Sequence, residues 1–224
     1  MQELKEMKIW FPWRKEMNKG RINKVPFAST GGATGTNKEY QHTWVTYDEA
    51  VASTKRHDAG GVGFVIPPGY FFLDIDHKAL TDPFVQILLE RFNSYTERSV
   101  SGNGIHIYGK CDFSKLPTYI NEKGSLKLDK AYYMKNPHND LELYVGGITN
   151  RFAAFTRDVV LNEPLKESTA AVLLTLDKNM RRAKKTSYSK KSDGESSALD
   201  IICNLRRQKN GEKFKKLYDN GDIS

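Results

Sequence analysis

Asp74 and Asp76 close the run Tyr70-Phe71-Phe72-Leu73-Asp74-Ile75-Asp76. In a strand, positions i and i+2 share a face. The two carboxylates then stand side by side while Leu73 and Ile75 turn to a core. Carboxylates that close repel unless a positive charge sits between them, and a hard cation such as Mg²⁺ or Mn²⁺ suits oxygen donors. A polar strand face turned to water is the plain alternative, but acids at the end of an apolar run favour a site. A second segment, Ser101-Gly102-Asn103-Gly104-Ile105-His106-Ile107-Tyr108, combines a small-residue loop with a strand. Its glycines allow backbone N–H groups to approach an anion. Ser101 offers a hydroxyl, and His106 offers a ring that can become cationic, a set suited to a triphosphate. A tight helix-to-strand turn is the alternative there. A third segment, Asp140-Leu141-Glu142-Leu143-Tyr144, repeats the acidic alternation. A third carboxylate across the sheet would complete a two-metal site, which holds the attacking and leaving oxygens of phosphoryl transfer.

Elements that position these residues are legible around them. Lys8–Phe11 and Gly63–Ile66 read as strands, and Asn18–Thr36 as loop. Pro67-Pro68-Gly69 reads as a turn that makes a hairpin of Gly63–Ile66 and Tyr70–Asp76. Thr46 and Glu49 form a capping box ahead of a helix toward Arg56. Asp82-Pro83 starts a helix whose apolar positions are Phe84, Leu88, Phe92 and Tyr95. Gly104–Tyr108, Leu141–Val145 and Arg151–Thr156 read as strands, and Ser168–Lys178 as a helix. Mixed strands and helices with hairpins predict the α+β class.

The 224 residues carry 35 Lys/Arg and 27 Asp/Glu, a net charge of +8. Between Lys178 and Ser224 there are 13 Lys/Arg against 6 Asp/Glu, so a nearly neutral body carries a basic tail. That excess suits a polyanion. Cys111 and Cys203 give neither a disulfide framework nor a metal-knuckle spacing, which suits a reducing, cytoplasmic setting. No apolar run is long enough to cross a membrane, so no membrane partner is expected. The expected organisation is a domain over residues 1–178, a basic linker over 179–197, and the start of a C-terminal helical module over 198–224.

Taken together, the order of segments resembles the archaeo-eukaryotic primase superfamily, and within it the primase-polymerases of phages and plasmids. Asp74 and Asp76 match the first motif, Ser101, Gly102, Gly104 and His106 the second, and Glu142 the third. Lys24-Val25-Pro26, Trp44 and Gly61-Val62-Gly63-Phe64 add to the likeness, which covers residues 8 to 157. The resemblance implies a catalytic core with a sheet of the RNA-recognition-motif type, an accessory α/β lobe, and a C-terminal helical extension. It implies that Asp74, Asp76 and Glu142 hold two Mg²⁺ or Mn²⁺ ions, with Asp140 an alternative third acid. It also implies that His106 contacts the phosphates of a dNTP or NTP, with Arg151 and Lys24 as further cations. The implied activity is template-directed nucleotidyl transfer on single-stranded DNA, by a DNA primase, a DNA polymerase or both. A fused or associated helicase is the implied partner. A non-catalytic origin- or single-strand-binding module is the competing reading, and a metal-dependent nuclease is a third.

Overall fold

The computed structural model describes residues 1–183. The rest of the expected linker and the helical module at 198–224 lie outside the described residues.

The chain starts with α1 (Gln2–Glu6) and a long antiparallel pair, β1 (Trp10–Asn18) and β2 (Arg21–Pro26). This corrects the reading of a short strand followed by loop. Lys19 (φ 51°) and Gly20 (φ 77°) make the tight turn between the two strands, and paired positive φ values match strand twist. The charged stretch Arg14-Lys15-Glu16 hid the strand, because its far half is exposed. Next come α2 (Tyr47–Arg56), β3 (Gly61–Val65) and β4 (Tyr70–Asp76). The Thr46 N–H donates to Glu49 at 2.8 Å, as the capping box requires. α3 (Pro83–Phe92) begins at Asp82, whose carboxylate accepts from the Phe84 N–H at 2.8 Å. It stops at Asn93 in the left-handed region, so Tyr95 falls outside the helix.

The remaining strands are β5 (Thr96–Arg98), β6 (Gly104–Lys110), β7 (Thr118–Ile120), β8 (Leu126–Leu128), β9 (Lys135–Asn136), β10 (Leu141–Val145), β11 (Phe152–Phe155) and β12 (Val159–Leu161). α4 (Thr169–Thr175) continues into a π-type turn at Leu176–Met180. The strands form a four-stranded sheet, β11-β3-β1-β2, a six-stranded sheet, β12-β5-β6-β4-β10-β9, and the ribbon β7-β8. Every paired strand is antiparallel, in keeping with the α+β class. The expected hairpin of β3 and β4 does not form. β3 pairs with β1 and β11, while β4 pairs with β6 and β10. Pro67-Pro68-Gly69 therefore carries the chain from one sheet to the other, a job for residues that donate no ladder bonds.

Alternation on the six-stranded sheet serves two cores. Phe71, Leu73, Ile75, Ile105, Ile107, Leu141 and Leu143 pack under α3 and α4. The opposite face sends Phe72, Tyr108 and Tyr144 against Trp10, Val62 and Phe64 of the four-stranded sheet. Leu73 and Ile75 are wholly buried, which is worth about 1.5–3 kcal/mol each. That burial pins the register of β4 and fixes which side its aspartates face.

Cys111, just after β6, is buried in the first core, and burial pushes its thiol up to about 11. The thiolate is the reactive form. Cys111 is expected to resist iodoacetamide at about pH 8 in the folded protein and to react once the chain is unfolded in urea. Peptide mass spectrometry reads this out, and free-thiol rates in the native state would contradict it.

Candidate active site

The register of the six-stranded sheet sets four polar side chains in one row. Glu142 on β10 is opposite Asp74 on β4, Asp74 is opposite His106 on β6, and His106 is opposite Glu97 on β5. Two residues along each strand lies an aromatic row. The Phe72 ring stacks on Tyr108 and on Tyr144, with centroids 5.1 and 6.0 Å apart. The acids thus sit at the edge of a packed floor that cannot follow them if they move. They open into a cleft of about 320 Å³ whose lining includes Asp74, His106, Glu142, Lys24 and Arg151.

His106 is held from behind. Its Nδ1 lies 3.3 Å from Glu97 Oε1. Glu97 is fully buried and also accepts from the Tyr108 hydroxyl at 2.8 Å, the Thr156 N–H at 2.9 Å and the Arg157 N–H at 3.0 Å. The donor on Nδ1 leaves Nε2 facing the cleft, 3.5 Å from Asp74 Oδ1. No hydrogen bond joins the two, and Asp74 Oδ1 is buried with no hydrogen-bond partner. Burial chiefly, then the neighbouring charges of Asp76 and Glu142, push the Asp74 carboxyl up to about 6, against the opposing pull of His106 and Lys24.

Glu142 is differently placed. Lys135 Nζ donates to both of its oxygens at 2.6 Å, and the Tyr144 hydroxyl donates to Oε2. Glu142, not Asp140, faces Asp74. Asp140 precedes β10 with φ 54°, and its carboxylate lies 3.9 Å from His77. Asp76 shares the face of Asp74 at the last residue of β4. Among the described residues, no three of His, Cys, Asp and Glu stand close enough to cage a metal as they are arranged. The orphaned oxygen of Asp74 and the raised affinity of its carboxyl for a proton are nevertheless a demand for positive charge. An all-oxygen set of Asp74, Asp76 and Glu142 fits a hard divalent ion in kind.

The glycine loop is set apart from this cleft. Ser101 and Gly102 line a neighbouring cleft with Trp13, Gly60 and Arg157. The loop bonds to itself: the Gly102 N–H donates to Ser99 O at 2.9 Å, and the Asn103 N–H to Ser101 Oγ at 3.3 Å. Gly104 has a packing reason to be glycine, because a Cβ there would meet Ile75 O at 2.5 Å. Gly102 has φ +77° and open space. Gly104→Ala is accordingly expected to cost about 1–3 kcal/mol by prising β6 from the end of β4. Gly102→Ala should cost about 1 kcal/mol, for its backbone angle alone. Urea unfolding compares the two, and equal losses would contradict the packing argument.

Sequence reasoning missed Glu97, Lys135 and the part played by Tyr144. Only the alternation of Tyr144 with Glu142 signalled any of them.

No protein-family model matches the chain. The chain is 34% identical over 157 residues, 67% of its length, to a protein of Nitratiruptor phage NrS-1 named DNA primase-polymerase. It spans about a fifth (19%) of that protein's length. That identity places the chain with the phage-type primase-polymerases.

Proposed function

We propose that this chain is a nucleotidyl-transfer module in the replication of a phage, plasmid or other mobile element. It would join nucleotides on a single-stranded DNA template, as primase, polymerase or both. The observation that carries this reading is the row Glu142–Asp74–His106 in one cleft with Lys24 and Arg151. In the reaction a 3′-hydroxyl, or the hydroxyl of an initiating nucleotide, attacks the α-phosphate of a dNTP or NTP. The O–P bond forms in line as pyrophosphate leaves.

The chain's own groups have distinct tasks. His106, braced by Glu97, presents Nε2 to phosphate oxygens. Lys24 and Arg151 offset the charge of the triphosphate, and fixed donors aimed at developing charge are among the strongest catalytic devices. The stacked floor of Phe72, Tyr108 and Tyr144 keeps the acids in place. Asp74, Asp76 and Glu142 are the residues that would hold Mg²⁺ or Mn²⁺, which when bound favours the ionised attacking hydroxyl and offsets charge on the leaving pyrophosphate. For Glu142 to join them, Lys135 must give up its bidentate contact.

The test is incorporation of labelled dNTPs and NTPs on primed and unprimed single-stranded templates, with each metal. Incorporation by the native chain, lost in the Asp74→Ala/Asp76→Ala variant with its fold intact, is the expected result. Synthesis retained in that variant would overturn the reading. DNA binding without synthesis under every condition would replace it with the non-catalytic binding module.

A further inference from the structure

Beside the acid cleft lies a larger one, of about 700 Å³, that none of the roles above uses. One wall is the ribbon β7-β8, with Tyr119 and Lys127, followed by Lys130 and Tyr132. The opposite wall is the turn after β10, ending in Arg151, with Arg182 also in the lining. Four cations thus face one concave surface. Among the described residues, none of the four pairs with an acid. The acid in the lining, Asp129, is turned onto its own loop, where Oδ1 accepts from the Ala131 N–H at 2.7 Å. The four are gathered on one concave surface rather than scattered, and the acid there is turned away from them. Like charges held together without internal counter-charge raise the local potential and attract an external polyanion.

The aromatic rings narrow the choice of polyanion. Within the lining, Lys130 Nζ lies 5.3 Å from the centre of the Tyr119 ring, and Arg182 Nε donates to the Tyr132 carbonyl at 3.2 Å. Tyrosines interleaved with cations along a groove are how unpaired bases and their phosphates are held together. In a duplex the bases are already stacked and offer no free face. Arg151 lines both clefts, so a strand lying in the larger one runs into the acid cleft at that residue.

We propose that the Tyr119–Lys127–Lys130–Tyr132–Arg182 cleft binds single-stranded nucleic acid and feeds it past Arg151 to the acid row. That this strand is the template rests on the proposed function. The binding itself needs neither nucleotide nor metal, so the two ideas fail separately.

The experiment is fluorescence anisotropy of a labelled mixed-sequence oligonucleotide with the full chain. It is run in chelator over about 50–200 mM salt, the range in which phosphate contacts are resolved. Each phosphate contact adds about 0.7 to the salt slope for single strands. The Lys127→Ala/Lys130→Ala/Arg182→Ala variant is expected to bind at least about tenfold more weakly at low salt, with a slope smaller by about 2. Tyr119→Ala should weaken binding about tenfold with the slope unchanged, because stacking releases no counterions. If Asp74→Ala still supports synthesis, the functional reading falls while the binding cleft stands. A triple variant with native affinity and slope would overturn the cleft, since the binding charge would then lie elsewhere. So would a native chain that prefers duplex of the same sequence.

Discussion

Asp74→Asn is expected to reduce nucleotide incorporation to background and, in the same protein, to raise the melting temperature. Both effects come from one oxygen. Asp74 Oδ1 is buried without a hydrogen-bond partner, next to the like charges of Asp76 and Glu142. The carboxyl is pushed up from 3.8 to about 6. A raised carboxylate pKa means that the fold disfavours the ionised form. The penalty is absent below the ordinary value and complete above the raised one. It amounts to about 2–3 kcal/mol at neutral pH. Asn keeps the shape and removes the charge, so in chelator at about pH 7 the variant should melt roughly 4–12 °C higher. The gap should close as the pH falls from about 7 to about 4, where the native carboxyl is protonated too. Adding Mg²⁺ or Mn²⁺ should raise the native melting temperature and leave that of the variant unmoved. Activity should fall about a hundred- to a thousandfold, since single electrostatic groups in active sites are worth about 10²–10³. Calorimetry across pH and the incorporation assay together decide it. A variant that melts lower than the native chain in chelator at neutral pH, or that still synthesises, would refute the account of this residue.

Glu97 should be the least replaceable side chain in the row. Glu97→Ala leaves the Tyr108 hydroxyl, the His106 Nδ1–H and two backbone N–H groups facing a cavity. Each buried donor without an acceptor costs about 1–3 kcal/mol, so the variant is expected to lose at least about 4 kcal/mol or not to fold. Glu97→Gln is the more informative change. It keeps the volume, but with four donors converging, its amide must oppose at least one of them. A loss of about 1–3 kcal/mol follows. The imidazole also loses the carboxylate that orients it, so KM for the nucleotide should rise more than kcat falls if His106 meets phosphate. Imidazole ¹⁵N shifts should show a protonated Nδ1 in the native chain and a changed tautomer balance in the variant. Tyr108→Phe removes one of the four donors, together with that hydroxyl's 3.3 Å contact to the Ala154 carbonyl, and should be much milder. Native stability and native KM in Glu97→Gln would show that the carboxylate merely fills space.

What could be read in the sequence is what short-range periodicity encodes. The alternation of Leu73 and Ile75 with Asp74 and Asp76, and of Leu141 and Leu143 with Glu142, placed the acids on one face without knowledge of pairing. The capping residues Thr46 and Asp82 announced α2 and α3 because their chemistry is local. Glu97 was silent because β5 is three residues long, too short to show a period, and because its partners lie on two other segments, β6 and the residues just after β11. Lys135 was silent for the same reason: its meeting with Glu142 depends on the β9–β10 register. The loop from Ser101 to Gly104 is ambiguous by composition. Small residues permit an anion cradle, but they equally permit a turn that satisfies its own amides and a strand crossing as close as that of Gly104 on Ile75. The β1–β2 pair was hidden because its outer half is solvated on both sides and shows no apolar stripe.

The crossing at Pro67-Pro68-Gly69 bears on how the protein is made. Because β3 and β4 belong to different sheets, the two sheets are threaded through each other along the chain rather than laid down in turn. β3 must wait for Phe152–Phe155 to cover its free edge, by which point β4, β6 and β10 are already synthesised. A ribosome-bound chain short of that point exposes an unpaired, apolar strand edge. Pairings so distant in sequence close late and slowly. Completion of the four-stranded sheet is thus the step at which a growing chain is most open to capture by chaperones or by another copy of itself.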